Sequence, residues 1–177
     1  MYRVTSGIHI QFGHHVRGHS GPCISLHGHT WLFQVTLESA TLNSQSFVAD
    51  FDEMFERVLT PCHLLLDHSL ALGEQSLAEI RSPLATMGES LVASRLEISG
   101  NLGCRQPALE GELAGARNEW PGGIKVSVFP FTPTSERLAE WLYRATHECM
   151  ADDRVRVASA RIYETLHPVQ SYAEFVP

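Results

Sequence analysis

The chain has no clustered run of lysine and arginine, no CxxC pair and no apolar stretch approaching membrane-spanning length. The first absence, together with a formal net charge of -7 and a pI near 5.8, argues against a nucleic-acid partner, which calls for basic residues gathered along one face. The lack of a long apolar run argues against a membrane span. The opening MYRVTSGIHIQ alternates like a strand, without the charged and then apolar regions of a secretory leader, so a cytoplasmic protein is the expectation. Cysteine is sparse: Cys23, Cys62, Cys104 and Cys149 are too scattered for a disulfide framework, and any of them with a role is expected to act as a thiol. With 177 residues, 44% apolar and 19% charged, the chain is long and apolar enough to bury a full core, which favours one domain over 1–177.

Histidine is what the sequence has in excess. There are ten, five of them between His14 and His29. Residues 2 to 14 alternate, with Tyr2, Val4, Ile8, Ile10 and Phe12 on one parity and Arg3, Thr5, His9 and Gln11 on the other. Residues 27 to 38 repeat the pattern, with Trp31, Phe33, Val35 and Leu37 opposed to Thr30, Gln34, Thr36 and Glu38. Both patterns predict half-buried strands. The intervening VRGHSGPCIS suits a hairpin connection, so the two strands are expected to be antiparallel neighbours.

From Asp50 the period becomes helical, through Phe51, Met54, Phe55, Val58 and Leu59, with Asp50 and Glu53 resembling a capping box and Pro61 expected to end the helix. A second helix is expected in FTPTSERLAEWLYRATHECM, buried through Leu138, Trp141, Leu142 and Ala145. IKVSVFPF reads as a short strand. RVRVASARIYET, residues 154 to 165, reads as another whose apolar parity switches, as a bulge or two covered faces would produce. The order predicts an α+β fold, an antiparallel four-stranded sheet with two helices on one face. Residues 73–120 show no clear pattern or repeat and are read as an insertion.

Side chains two apart on a strand point the same way, so His27 and His29 form a chelating pair on the parity of Trp31, Phe33 and Val35. His14 ends the apolar stripe of the first strand. In hairpin neighbours the three imidazoles converge, giving three nitrogen ligands with an open fourth position, as expected of a catalytic zinc. A satisfied polar pair at a strand end is the plainer reading of the HxH alone. A cupin site is disfavoured, because Phe33 and Gln34 stand where its glutamate is expected. His15 and His19 lack the parity argument and read as solvated loop residues. Cys23 is open between a fourth ligand and a thiol acting as base or nucleophile.

The series H-x8-C-x3-HGH in QFGHHVRGHSGPCISLHGHTW, followed by VADF, LLDH, PTSE and YET, resembles the 6-pyruvoyltetrahydropterin and 6-carboxytetrahydropterin synthase family over about 1–72 and 121–177. The three-residue gap between Cys23 and HGH is similar to that of the bacterial 6-carboxytetrahydropterin synthases. The resemblance implies that His14, His27 and His29 hold Zn2+ and that Cys23 is a catalytic thiol outside the metal shell. It implies that Asp67 and His68 are the partners of Cys23 in proton transfer. Glu164 would hold the pterin's amino-pyrimidine edge, and Thr134, Ser135 and Glu136 would line the pterin pocket. The implied architecture is the tunnelling fold, in which sheets from several subunits close a barrel and sites form between subunits, a hexamer built from trimers.

The implied reaction is that of a lyase converting 7,8-dihydroneopterin triphosphate to 6-carboxy-5,6,7,8-tetrahydropterin, with loss of acetaldehyde and triphosphate, in the queuosine and deazapurine route. Two alternatives stand beside it. One is a 6-pyruvoyltetrahydropterin synthase or other pterin side-chain lyase, and the other a catalytically silent zinc-binding member whose insertion binds a partner. The chain departs from the family pattern at Ala71 and Leu72, where Leu-Asn is usual, and at Arg137, where Asn is usual.

Overall fold

The alternation of the first two strands sets the architecture. In the computed structural model, which describes residues 1–94, 116–120 and 124–177, β1 (Tyr2–His14) and β2 (His27–Ser39) pair antiparallel over their whole length. The register runs from Tyr2 opposite Ser39 to His14 opposite His27. One face of this hairpin is apolar, and Ile10, Trp31, Phe33, Val35 and Leu37 are fully buried there.

The helices cover that face. A helical run begins with α1 (Phe51–Met54), capped by the Asp50 carboxylate, which accepts from the Asp52 N–H at 2.9 Å. It continues through a π-helical segment (Phe55–Leu59) into α2 (Thr60–Leu66). Pro61 was expected to end the helix and does not. It falls in the first turn of α2, where a missing N–H breaks no bond, after a π turn in which Thr60 N–H reaches back to Phe55 O. Met54, Val58, Leu59, Cys62 and Leu66 are buried from this run. The later helix, α4 (Ser135–Met150), buries Leu138, Trp141, Leu142 and Ala145, the stripe expected from its spacing.

The sheet differs from the expected four antiparallel strands. Among the described residues it has seven, in the order β4-β5-β3-β1-β2-β6-β7, and two of its pairings, β1 with β3 and β3 with β5, are parallel. The strands β5 (Ile124–Phe129) and β6 (Arg156–Thr165) are those read from the sequence. The additional three are β3 (Leu70–Gly73), β4 (Ala116–Trp120) and β7 (Ser171–Phe175). Each has four or five residues, too few for period-two alternation to stand out. The parity switch in β6 is a bulge: Thr36 pairs with Ser159 but Leu37 with Val157, which leaves Ala158 as the extra residue.

A third helix also lies outside the expected pair. α3 (Glu74–Ser94) occupies the start of the presumed insertion and β4 its end, while 95–115, with Cys104, fall outside the described residues. Among the described residues no helix is long and apolar enough to cross a membrane.

Phe33 packs edge-on to Phe12, ring centroids 6.0 Å apart, in the centre of this core. Phe33→Ala is therefore expected to cost about 3–5 kcal/mol of unfolding free energy, read from the urea midpoint at unchanged m-value.

Candidate metal centre and its surroundings

The β1–β2 register carries three imidazoles to one place. His14 lies directly opposite His27, and His29 follows two residues on, opposite Phe12. The ring centroids are 4.6 Å apart for His14 and His27, 4.9 Å for His27 and His29, and 5.5 Å for His14 and His29. Trp31 is the floor under them. Its ring stands edge to face with His14 at 4.8 Å and His29 at 5.2 Å, stacks on Phe12 at 4.6 Å, and its indole N–H donates to Phe12 O at 3.2 Å. Gly13 and Gly28 face each other within this stretch, and a Cβ on Gly28 would stand 3.2 Å from Phe12 O, a tight contact that glycine avoids.

Ring orientation is fixed by backbone carbonyls. His14 Nδ1 is 2.8 Å from Pro133 O, and His27 Nδ1 is 2.8 Å from Ser25 O. A carbonyl only accepts, so each Nδ1 carries the proton and each Nε2 presents a lone pair. The Nε2 atoms of His14, His27 and His29 are all buried without a hydrogen-bond partner. Three orphaned ring nitrogens converging on one point, with carbonyls behind two of the rings, is the arrangement a metal ion satisfies.

Glu164, from the end of β6, joins them. Its Oε1 lies 3.5 Å from His14 Nε2 and 3.4 Å from His29 Nε2, and the ligand atoms of His14, His27, His29 and Glu164 all lie within 4.8 Å of one another. These four residues could hold a metal ion. The nearness of His14, opposed by burial and assisted by the charges of the three histidines, holds the Glu164 carboxyl below the usual carboxylate range. Burial lowers His29, against the pull of Glu164 and with the push of His14 and His27. The group is therefore an ionised carboxylate beside imidazoles, one of them biased toward the neutral form.

The other predicted residues lie on three further elements. Cys23 sits in a short 3-10 turn (Pro22–Ile24) of the β1–β2 connection, and its carbonyl accepts from Val16 N–H at 2.8 Å. Its thiol is free, half-buried and not part of the four-residue group. Thr134 caps α4, accepting from Arg137 N–H at 3.3 Å, and Ser135 and Glu136 follow in the first turn. Asp67 and His68 form the corner between α2 and β3, where His68 Nδ1 meets Asp67 Oδ2 at 2.6 Å. They attach to the edge of β1 through Gln11, whose N–H donates to Asp67 Oδ1 at 3.1 Å and whose carbonyl accepts from His68 N–H at 2.7 Å.

Pro133 and Ser25 were not read as functional from the sequence. Carbonyl partners leave no side-chain signature, although Pro133 directly precedes Thr134 in the PTSE motif. Of the two loop histidines, His19 is exposed and its Nδ1 accepts from Gly21 N–H at 2.9 Å, whereas His15 is half-buried with its Nε2 shielded, which differs from the solvated position expected for it. Arg17, in the same connection, pairs with Glu79 of α3 and so ties the presumed insertion to the Cys23 loop.

Residues 3–174 match the family model described as 6-pyruvoyl tetrahydropterin synthase. The 6-carboxy-5,6,7,8-tetrahydropterin synthase of Haemophilus influenzae is 23% identical over 178 residues, covering 98% of this chain and 100% of that protein. Among solved structures, an uncharacterised protein from Wolinella succinogenes aligns over 99% of this chain and 97% of its own, at 19% identity and a TM-score of 0.64. The 6-pyruvoyl tetrahydropterin synthase of Caenorhabditis elegans aligns over 100% of this chain and 97% of its own, at 13% identity and a TM-score of 0.54. At these identities the two structures speak to the fold alone.

Proposed function

Because the chain belongs to the 6-pyruvoyl tetrahydropterin synthase family, whose members are lyases acting on pterins, we propose that it converts 7,8-dihydroneopterin triphosphate to 6-carboxy-5,6,7,8-tetrahydropterin, releasing acetaldehyde and triphosphate, with zinc at the three histidines. The observation that carries this reading is the convergence of three buried, unpartnered Nε2 atoms beside an ionised carboxylate. The choice of the carboxy product is supported by the Haemophilus relative and by the three-residue gap between Cys23 and His27.

A zinc ion held by His14, His27 and His29 would supply Lewis acidity to the hydroxyl oxygens of the substrate side chain. The protein groups do the rest. Cys23 is the base for a carbon-bound proton, the role that the family resemblance assigns to it. His68, oriented through Nδ1 by Asp67, takes or returns a proton on the opposite side of the substrate. Glu164 accepts paired hydrogen bonds from the amino-pyrimidine edge of the pterin, and the start of α4 at Thr134, Ser135 and Glu136 borders the ring. His14 links these two functions, since its Nδ1 partner, Pro133 O, belongs to the segment that opens α4.

In the chain by itself, the Asp67–His68 corner attaches to the β1 edge that pairs with β3, whereas Glu164 arrives from β6, beyond β2. A site formed between neighbouring subunits, in a hexamer of two trimers, is the assembly that the family resemblance implies. The test is to incubate zinc-loaded protein with 7,8-dihydroneopterin triphosphate and identify the products by mass. Acetaldehyde with the carboxy product supports the proposal. A pyruvoyl product without acetaldehyde replaces it with the sister reaction, and unchanged substrate overturns it.

A further inference from the structure

Glu164 faces the imidazoles at a distance that no hydrogen bond explains. Ala160 and Ile162 pair with Val35 and Phe33, so Glu164, two residues on, continues onto the face of β2 that carries His27 and His29. Against β7 the strand has an extra residue at this point, with Tyr163 paired to Tyr172 and Thr165 to Ser171, a bulge of the kind that aims a side chain beside a site. Glu164 Oε1 stands 3.5 Å from His14 Nε2 and 3.4 Å from His29 Nε2, and both nitrogens are buried without a hydrogen-bond partner. His14 makes the point sharper. It is fully buried, and its Nδ1 donates to Pro133 O, so the lone pair on its Nε2 faces a carboxylate oxygen. Two buried acceptors set against each other are unfavourable unless a cation stands between them, and the separation is long for a shared proton.

The separations are those of a coordination edge. Ligand atoms about 2.0–2.2 Å from a tetrahedral zinc stand about 3.3–3.6 Å from one another, and both Glu164 approaches fall in that range. Resting on the reading of a metal at His14, His27 and His29, we propose that Glu164 Oε1 is its fourth ligand in the substrate-free protein, so that a carboxylate closes the site. The four ligand atoms already lie within 4.8 Å of one another, and the Glu164 side chain, 27% exposed, keeps a path to solvent. The assignment bears on the order of events. Accepting paired hydrogen bonds from an amino-pyrimidine edge takes both carboxylate oxygens, so Glu164 cannot serve the metal and the pterin in that way at once. On the pterin reading, Glu164 therefore leaves the histidines when it takes the ring, and the fourth place opens only to a molecule that carries that edge.

The test reads the metal without substrate. The full chain and its Glu164→Gln variant are loaded with cobalt(II), which takes zinc's tetrahedral place and whose visible bands follow its donor set, and the zinc affinity of both is measured against a competing chelator. Glutamine keeps the size of the side chain, and thermal melts of the metal-free proteins check that folding is unchanged. Glu164→Gln is expected to shift the cobalt bands and to weaken zinc by at least about 10-fold, since a direct ligand contributes no less than an outer partner, whose loss costs about 10–100-fold. Unmoved bands overturn the proposal whatever the affinity, because a carboxylate acting through charge alone alters binding strength and leaves the donor set as it was. Unchanged zinc affinity overturns it as well. Shifted bands and weakened zinc in a protein that leaves 7,8-dihydroneopterin triphosphate unchanged uphold Glu164 as a ligand and fail the pterin reading. Turnover by the unaltered protein with identical bands in both does the reverse, and a chain that takes up neither ion overturns both.

Discussion

His27→Ala protein is expected to fold and to emerge from purification without stoichiometric zinc, whereas the unaltered chain retains about one ion per subunit. His27 is the informative choice because it is half-buried and sits at the first residue of β2, so truncation leaves the core untouched. His14 is fully buried and bonded to Pro133, and its removal would disturb packing as well as ligation. Loss of an outer-sphere partner typically costs about 10–100-fold in metal affinity, and loss of a direct ligand costs more. Elemental analysis reads the outcome, and a thermal melt of both metal-free proteins controls for folding. Full zinc occupancy in His27→Ala would remove His27 from the ligand set.

Acid should release the same ion, and the sign follows from His29. Metal binding requires neutral imidazole. Burial, only partly offset by Glu164, already biases His29 against protonation, so its folded-state pKa lies below the value near 6.5 of an exposed histidine. Protons therefore compete for His29 in the folded site only once the pH has fallen below that value. Zinc retention is expected to be flat above about pH 6.5 and to decline below it. A decline beginning well above that pH would contradict the placement of His29 in a partly buried, histidine-rich group.

The parts of this arrangement that were legible in the sequence are those governed by period. Alternation over thirteen residues is enough to fix which side of β1 carries His14 and which side of β2 carries His27 and His29, and the hairpin connection makes them neighbours. The stripe of α4 and the bulge in β6 follow from the same arithmetic. Short strands escape it: Leu70–Gly73 has four residues and pairs in parallel with both β1 and β5, a partnership that depends on distant segments. The continuation of the helix through Pro61 was also hidden, because a π turn depends on a shift in backbone bonding rather than on residue pattern. The proximity of Glu164 to the imidazoles comes from the β2–β6 register, which the bulge at Ala158 resets and which no local pattern near Glu164 specifies.

Cys23→Ala is expected to keep zinc and lose turnover, by about 10²- to 10⁴-fold in kcat if the thiol acts as the proton-transferring base. The structural cost should be slight. The residue is held in its 3-10 turn by main-chain bonds, including Val16 N–H to Cys23 O at 2.8 Å, and these survive truncation of the side chain. The two readings left open by the sequence diverge here. A cysteine that closes the metal shell would take zinc affinity with it when removed, whereas a thiol that only transfers a proton would not. In the structure the gathered ligand atoms belong to His14, His27, His29 and Glu164, so retained zinc is the expected result. Cys23→Ser sharpens the comparison, because a hydroxyl preserves size and hydrogen bonding but ionises far less readily than a thiol. It should bind substrate with a KM close to that of the unaltered protein while kcat stays near that of the alanine variant. Full activity in Cys23→Ala would exclude the thiol from the chemistry, and loss of zinc in the same protein would return Cys23 to the metal shell.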